Sequence, residues 1–441
     1  MNGSDRSTGT ALRRLVARDS PYTAVRIVEL DLADPGELRS PGCAGPVEPD
    51  GRVLALVRLH GHPLGLVTAT GAPGDPAGLR RALLAAAHRD LPIPPRAGDS
   101  GNPVVRRLAA GPPPSSVPAA ISVVVATRNR PGPLRQCLDS LLRTGYPRLE
   151  VLVVDNAPDN NDTETLVRGH YPGQVRYLRE PVAGLARAHN RALAEATGPI
   201  TAFTDDDVLV DRDWPAALAG AFAASERIGC VTGLILPAEL ETRAQAELQR
   251  HGGYDKGFAP RTWSLAEPPD DPLFPFTAGR FGSGANMAYR TGLLRALGGF
   301  DPATGTGTPA RGGDDLLGFF RLLVAGATLA YQPDAIVWHR HRRGGRALAD
   351  QAFGYGAGFG AFLAAAVANE PAMLPALARR LPGGLHNAAT RRRAGADPDG
   401  DWSARLTLLE LRGMLYGPLG YLRSRHQARR QPRHGAAVGA P

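Results

Sequence analysis

Three adjacent carboxylates, Asp205, Asp206 and Asp207, stand at the end of an apolar segment that begins at residue 199. Their negative charges repel one another, so such a cluster is costly unless a cation compensates them. Hard divalent ions such as Mn²⁺ or Mg²⁺ take oxygen ligands and keep open positions for phosphate oxygens. In extended backbone Asp205 and Asp207 share a face and Asp206 points away from it. We therefore expect Asp205 and Asp207 to hold Mn²⁺ or Mg²⁺ and a diphosphate, with a solvated acidic turn as the alternative.

Polar residues also follow two other apolar runs. Thr127 and Asn129 come at the end of ISVVVAT, and Asp155 ends LEVLVVD. Ligands of open α/β sheets bind beyond the carboxyl ends of the strands, where Asp155 can accept hydrogen bonds from a nucleobase or ribose. The alternative is that Asp155 caps the turn-rich segment DNAPDNND.

A second acidic pair, Asp314 and Asp315, opens a segment with the helical apolar spacing Leu316, Leu317, Phe320 and Leu323. The positive end of a helix favours an ionised carboxylate, which suits a catalytic role for one of the two. Simple N-capping explains such a residue equally well.

Two further segments carry candidate ligands. His339 and His341 alternate at a strand end in VWHRHRR, where neutral imidazole can bind a metal, and we expect His339 to be a metal ligand. FGSGANMAYR, residues 281–290, is a loop of small residues whose glycines permit close backbone approach. We place Gly284 and Asn286 there on the acceptor side, with Asp314.

The elements that position these residues alternate between strand and helix. Apolar β-branched runs predict strands, and helical spacing of apolar residues predicts the helices between them. The predicted strands are 121–127, 149–155, 175–180 and 199–205, and the predicted helices are 130–142 and 184–196. Such alternation predicts an α/β fold with a mostly parallel, Rossmann-like sheet flanked by helices.

The proline-rich segment GPPPSSVP, residues 111–118, predicts a linker. Before it, two β-rich runs and a helix predict a small α+β domain over residues 21–110, preceded by a disordered segment, 1–20. After it we expect a catalytic domain at 119–345, a helical region at 346–430 and a disordered tail at 431–441. Residues 351–367 should form a helix that packs on the catalytic domain.

Composition restricts the function classes. The net charge of +9 comes almost entirely from arginine, and aromatics make up 6% of the 441 residues. No basic stripe with interleaved aromatics occurs, so we expect no nucleic-acid partner. Runs of about 18 uncharged apolar residues and an apolar secretory core are both missing, which predicts a cytoplasmic protein without a membrane span. Cys43, Cys137 and Cys230 are expected to be reduced and buried.

The C-terminal segment 403–430 combines apolar residues with arginines at helical spacing. It permits an amphipathic helix on the inner face of a membrane, giving peripheral attachment. The alternative is a domain-docking helix with a solvated arginine face.

Residues 119–345 resemble glycosyltransferase family two, the inverting family with the GT-A fold, in an actinobacterial-type form with an extra N-terminal domain. The resemblance rests on VVVATRNRPGPLRQCLDSLL, VLVVDNAPDNNDT, PVAGLARAHNRALAEATGPITAFTDDDVLVD and RGGDDLLGFFRLLVAG. It implies a DXD motif in which Asp205 and Asp207 serve metal and diphosphate, and Asp315 as catalytic base. It also implies a nucleotide-sugar site made of Thr127, Asn129, Asp155, Asn190, Asp205 and Asp206.

Three positions depart from the family pattern. Asp314 stands where Glu is common, Leu317 where many members have a further Asp, and His189 where Arg is usual in the helix before the DXD motif. Asp315 therefore carries the implied role of base with less redundancy.

The resemblance implies transfer of a sugar from a nucleotide-diphosphate sugar to an acceptor hydroxyl with inversion, in cell-envelope glycan or glycoconjugate biosynthesis. The acceptor would be a glycan, a lipid-linked molecule or a small molecule. Two alternatives stay open: a retaining GT-A enzyme, and a degenerate transferase fold that only binds. Intact Asp205, Asp207 and Asp315 argue against the second alternative.

Overall fold

A computed structural model describes residues 22–41, 47, 50–91, 103–110, 118–252, 254, 256–380 and 401–430. Our expectations for residues 1–20, for most of the 111–118 linker and for 431–441 fall outside these ranges and stay predictions, as does the state of Cys43. Cys137 and Cys230 are free and buried.

The N-terminal part is a four-stranded sheet with one helix. Its strands lie in the order β2-β1-β3-β4; they are β1 (Val25–Asp31), β2 (Asp34–Arg39), β3 (Gly51–Leu59) and β4 (His62–Gly71), followed by α1 (Pro76–Asp90). β3 and β4 join through His60 and Gly61, both with positive φ (52° and 81°), as a two-residue hairpin turn requires. The predicted β-rich unit is thus confirmed, with β2 as an additional strand.

The second sheet contains nine strands in the described part of the chain, in the order β11-β13-β10-β12-β8-β5-β6-β7, with β9 paired to β13. The strands are β5 (Ile121–Thr127), β6 (Leu149–Asn156), β7 (Val175–Glu180), β8 (Ile200–Asp205), β9 (Val208–Val210), β10 (Ile228–Pro237), β11 (Arg261–Trp263), β12 (Asn286–Arg290) and β13 (Thr328–His339).

Helices connect these strands. They are α2 (Pro103–Ala110), α3 (Pro131–Arg143), α4 (Asp162–His170), α5 (Leu185–Glu195), α6 (Trp214–Ala224), α7 (Arg243–Gly252), α8 (Thr291–Ala296), α9 (Asp314–Val324), α10 (Gly345–Asn369) and α11 (Asp401–Arg430), with short 3-10 helices at Ala278–Arg280 and Pro371–Met373. The predicted strands and helices between residues 121 and 205 are all present, which confirms the α/β class.

Pairing is parallel from β8 through β5 and β6 to β7, and between β10 and β13. β12 runs antiparallel between β10 and β8. The expectation of a loop over residues 281–290 is therefore wrong for 286–290. The reason is burial on both faces: Met287 and Tyr289 pack into one core cluster and Ala288 into the other.

The large sheet is covered on both faces. Val124 and Phe203 contribute to a core shared with α5, α9 and α10, while Val123 and Val125 point the other way, toward α3 and α6. This alternation is the period-two pattern of a strand buried on both sides. The carboxyl ends of β5, β6 and β8 consequently meet along one edge.

The N-terminal sheet packs directly on the catalytic sheet. Ile27 and Leu56 lie in one apolar cluster with Leu236 and Trp338. At the rim of this contact the buried Arg58 donates to Glu29 at 2.7 Å and to Asp211, just after β9, at 2.5 Å. Because removal of one partner from a buried ion pair leaves an uncompensated charge, this contact fixes how the two sheets dock.

Residues 351–367 lie in the helix α10, which packs on the catalytic domain as expected: Phe362 lies in one core cluster with Phe320 of α9. α10 also packs against α11. A Cβ on Gly356 would lie 1.8 Å from the carbonyl oxygen of Glu410, and one on Gly360 would lie 2.3 Å from that of Met414. Only glycine allows this approach of the two backbones. By length and composition alone α10 would be able to cross a membrane, but half of its apolar window is buried within the protein.

Candidate active site

The acidic triplet lies where β8 turns into β9. β8 ends at Asp205, Asp206 and Asp207 form the turn, and β9 then runs antiparallel along β13, pairing Val208 with His339. One ligand atom each of Asp205, Asp207 and His339 lies within 4.8 Å of the others. The two sheet strands therefore bring together the three residues expected to hold a metal.

Asp206 points away from this cluster, toward the end of β5. Its carboxylate accepts a hydrogen bond of 2.7 Å from Thr127 Oγ1 and one of 2.6 Å from Arg130. The same guanidinium donates to Asp207 at 2.8 Å. Arg130 thus offsets part of the charge of the triplet.

Burial and mutual repulsion set the ionisation of the triplet. Burial, then the charges of Asp207 and Asp206, raise the pKa of Asp205 well above its ordinary value. Burial raises the pKa of Asp206 to about 6 against the opposing charge of Arg130. Burial also raises the pKa of Asp207, but the charges of His339 and Arg130 outweigh it and lower that pKa overall. Since burial lowers the pKa of His339 itself, Arg130 is the permanent charge that keeps Asp207 ionised.

His339 stands at the end of a buried chain of hydrogen bonds. Its Nδ1 lies 3.1 Å from Nδ1 of His341, whose Nε2 lies 2.9 Å from Oε1 of Gln249 on α7. An amide oxygen only accepts, so Nε2 of His341 carries a proton. Burial lowers the pKa of His341 to about 3, so the ring is neutral and its Nδ1 must accept the proton of His339 Nδ1.

The proton order leaves a lone pair on Nε2 of His339, and this atom lies 3.4 Å from Oδ1 of Asp207. Two electron-rich atoms that face each other in a buried position repel unless a cation lies between them. Two carboxylates and an imidazole suit Mn²⁺, and the ring is oriented as a ligand requires. The residues present therefore fit a divalent metal.

The candidate base, Asp315, lies in the first turn of α9. Its Oδ2 accepts from the backbone N–H of Gly284 at 2.9 Å, and its Oδ1 accepts from that of Leu316 at 2.8 Å. Burial raises its pKa against these two hydrogen bonds. A raised pKa makes the carboxylate a stronger base toward an alcohol. The charges of Asp314 and Asp315 also contribute to the raised pKa of Asp205, so this pair lies near the triplet.

Asp314 is buried behind Asp315. Its pKa is raised to about 7 by burial and by the charge of Asp315. The nearest imidazole nitrogen is Nδ1 of His189, at 3.7 Å, and burial lowers the pKa of that ring to about 3, so it is neutral. With His189 where an arginine is usual, Asp314 has no cationic partner there.

Asp155 lies at the end of β6 with its side chain fully buried. Its Oδ2 accepts from the Tyr177 hydroxyl at 2.9 Å, and the Thr163 side chain also hydrogen-bonds the carboxylate and lowers its pKa. Burial raises the pKa of Asp155. Its place at the carboxyl end of β6 is where open α/β sheets bind nucleotides.

Three expected contacts find other partners. Asn190 donates to the carbonyl oxygen of Phe300 and accepts from its N–H, at 2.7 and 2.8 Å. Asn286 lies in a central strand, where it donates to two backbone carbonyls and accepts from Trp214 Nε1, so it does not face the acceptor. Asp206 is bound by Arg130 and Thr127. Asn286 is fully buried, whereas nucleotide contacts by Asn190 and Asp206 stay predictions.

Two other expected residues also make protein contacts. Thr127 supports Asp206, and Asn129 links the loops after β5 and β6 through a donated and an accepted hydrogen bond with Asp159. Gly284 contacts the base, Asp315, through its backbone. A nucleotide contact by Thr127 or Asn129 and an acceptor contact by Gly284 stay predictions.

Arg130 and Gln249 were missed at the level of the sequence. For Arg130 a signal exists, because an arginine just after the first strand of such a sheet faces the strand that ends in three carboxylates. For Gln249 there is none, since its partner His341 is 92 residues away along the chain.

Comparison with known proteins points to one family. Residues 122–298 match the model of glycosyl transferase family 2. Over 224 residues, half of this chain and 43% of the relative, the chain is 30% identical to the pre-mycofactocin glycosyltransferase of Mycobacterium tuberculosis. It is 28% identical over 190 residues, 41% of this chain and 14% of the relative, to the O-antigen biosynthesis protein RfbC of Myxococcus xanthus. The chain thus spans less than half the length of these relatives.

Two solved structures are also similar at low identity. The mannosyltransferase PcManGT from Pyrobaculum calidifontis, in complex with GDP-Man and Mn²⁺, has 22% identity and a TM-score of 0.45 over 70% of this chain and 89% of its own. GalNAc-T7 with UDP, GalNAc and Mn²⁺ has 19% identity and a TM-score of 0.40 over 52% of this chain and 45% of its own.

Proposed function

We propose that this chain, whose residues 122–298 match the glycosyl transferase family 2 model, transfers a sugar from a nucleotide-diphosphate sugar to an acceptor hydroxyl with inversion at the anomeric carbon. The observation that carries the proposal is the meeting of two groups of acidic residues. Asp205 and Asp207 lie with His339 at the end of β8. Asp315, in the first turn of α9, accepts from the N–H of Gly284, and the next residue, Ala285, accepts from Thr204, which directly precedes Asp205.

The metal site is assigned to Asp205, Asp207 and His339, which would hold Mn²⁺ or Mg²⁺. When bound, such an ion supplies positive charge for the departing diphosphate. Arg130 keeps Asp207 ionised, and the chain from Gln249 through His341 keeps the lone pair of His339 Nε2 directed at the site.

Asp315 acts as the general base. Its carboxylate takes the proton of the acceptor hydroxyl as that oxygen attacks the anomeric carbon from the face opposite the nucleotide. The N–H groups of Gly284 and Leu316 fix its orientation, and burial strengthens it as a base. Asp155, at the carboxyl end of β6, is assigned to the base of the nucleotide.

The acceptor class is open between a glycan, a lipid-linked molecule and a small molecule. The relative from M. tuberculosis acts, by its name, on pre-mycofactocin, which favours the small-molecule class. RfbC serves O-antigen biosynthesis by its name, which favours an envelope glycan.

Calorimetric titration with a panel of nucleoside diphosphates, each with and without Mn²⁺, tests the donor side. We expect one base to bind best, in a Mn²⁺-dependent manner, and Asp207→Ala to lose the Mn²⁺ effect. The control Asp315→Asn should bind the same nucleotide with unchanged affinity because it lies on the acceptor side. Binding that is independent of Mn²⁺ in the wild type, or absent for every base, would refute the proposal. The anomer of the product, read by NMR, separates inversion from retention.

A further inference from the structure

The C-terminal helix α11 has two distinct faces. Its inner face is built from glycines: a Cβ on Gly413 would lie 2.1 Å from the carbonyl oxygen of Phe353, and one on Gly417 would lie 2.5 Å from that of Ala357. Gly420 approaches the carbonyl oxygen of Pro309 in the same way. This face holds α11 firmly on α10 and on the loop that leads to α9.

The opposite face carries a row of exposed leucines. Leu408, Leu415, Leu419 and Leu422 are 56%, 84%, 47% and 60% exposed. Their spacings of seven, four and three residues place all four on one side of the helix. We call these four residues the outer stripe. Single exposed leucines are ordinary, but an aligned row on a rigidly docked helix marks an interaction surface.

Basic residues accompany the outer stripe. α11 contains six arginines, Arg405, Arg412, Arg423, Arg425, Arg429 and Arg430, but only two acidic residues, Asp401 and Glu410. From Gly413 to its end it has no acidic residue at all. Apolar residues flanked by arginines, whose long side chains reach up to phosphate groups, are typical of helices that lie in the interface of an anionic bilayer.

We infer that the outer stripe inserts into the interfacial layer of a membrane that contains anionic lipid, with α11 lying flat on it. The charge of α11 selects this occupant over a second copy of the chain, because a second copy would present the same excess of arginine. The helix thus both docks on the protein and faces outward to lipid, so the two sequence-based alternatives for this segment describe its two faces.

The position of α11 links this surface to the acceptor side. Tyr421 donates to Oδ2 of Asp301 at 3.1 Å, and Gly420 touches Pro309, five residues before Asp314. A membrane bound by the outer stripe would lie on the far side of α11 from this contact, one helix diameter, roughly 10 Å, away from it. The inference itself is independent of the proposed function, since lipid binding is measured without a donor.

Flotation of the full chain tests the inference, with vesicles of phosphatidylcholine alone and of phosphatidylcholine mixed with phosphatidylglycerol. We expect the wild type to float only with the anionic vesicles and to release at high salt, because salt screens the arginines. Leu415→Ser and Leu422→Ser should each reduce partitioning by about tenfold, since each removes one buried leucine side chain from the lipid. Leu265→Ser, an exposed leucine of the catalytic part, is the matched control and should float like the wild type.

Three results would overturn the inference. The first is a wild type that stays in the bottom fraction with both kinds of vesicle, and the second is a pair of stripe variants that float as well as the wild type. The third is a dimer, seen by light scattering, that Leu415→Ser converts to monomer without any change in flotation, in which case the stripe is a contact between two copies. Thermal unfolding of each variant establishes that it is folded.

Discussion

Gln249 is expected to control metal affinity although it does not touch the metal site. It accepts the proton of His341 Nε2, and this sets the proton positions of both histidines. Gln249→Met keeps the size and removes the acceptor. The neutral ring of His341 then has two possible tautomers, and each of them is energetically unfavourable.

In the first tautomer Nε2 of His341 keeps its proton and the N–H is buried without a partner. In the second the proton moves to Nδ1, which faces Nδ1 of His339 at 3.1 Å. Two N–H groups cannot face each other at that distance, so His339 must carry its proton on Nε2, where the metal would bind. An unpaired buried donor costs roughly 1–3 kcal/mol, which corresponds to a loss of metal affinity of about 10- to 100-fold.

Mn²⁺ binding is read by electron paramagnetic resonance of the free ion, without any donor or acceptor. Gln249→Glu is the matched control: a carboxylate still accepts the proton of His341, so the affinity should stay within a few-fold of the wild type. If folded Gln249→Met protein binds Mn²⁺ as tightly as the wild type, the assigned proton order is wrong. Equal loss in the Met and Glu variants would show that Gln249 acts only through packing.

Asp314→Asn should make the free energy of unfolding of the metal-free protein less dependent on pH. The pKa of Asp314 in the folded state is about 7, above its unfolded value. The stabilising contribution of Asp314 is therefore complete at about pH 4 and disappears as the pH rises through 7. Between these pH limits the free energy of unfolding of the wild type, measured with urea, should fall by up to roughly 4 kcal/mol more than that of the variant. If the two proteins show the same dependence of this free energy on pH, the assignment is wrong. Arg130→Met leaves two buried carboxylates without their cation and should lower the free energy of unfolding by roughly 2–4 kcal/mol. Mn²⁺ should raise its melting temperature more than that of the wild type, whereas an equal rise would mean that Arg130 does not balance the triplet. Gly356→Ala places a Cβ 1.8 Å from the carbonyl oxygen of Glu410 and should lower the free energy of unfolding by about 1–3 kcal/mol. Gly354→Ala, with open space around it, should raise that free energy by up to about 1 kcal/mol. The same change in both variants, measured by thermal unfolding, would refute tight packing of α10 on α11.

The sequence carried enough to predict the strands and helices up to Asp205, because each is an uninterrupted apolar run or a regular helical pattern. β12 escaped prediction because its few residues follow a glycine-rich stretch, and only its neighbours β8 and β10 make it a central strand. A strand of five residues in such a position has too little periodicity of its own to identify it.

The same contrast applies to the site. Asp205, Asp207 and His339 were predicted from residue type and from their position at strand ends, and the structure brings them together. Asn190 and Asn286 also suited a binding site by type. Their amide groups bond to backbone and tryptophan partners that lie 49 to 110 residues away in the chain, and Asn286 is fully buried. A sequence shows which side chains have polar groups but not which of those groups are already paired.

Hydrolysis of the preferred nucleotide-sugar donor in the presence of Mn²⁺ tests the central claim most directly. Water replaces the acceptor in this assay, so Asp315 is still required as the base. We expect Asp315→Asn to reduce the rate by about 100-fold or more while calorimetry gives an unchanged affinity for the nucleoside diphosphate. A variant that hydrolyses the donor at nearly the wild-type rate would contradict the assignment of Asp315 and the mechanism built on it.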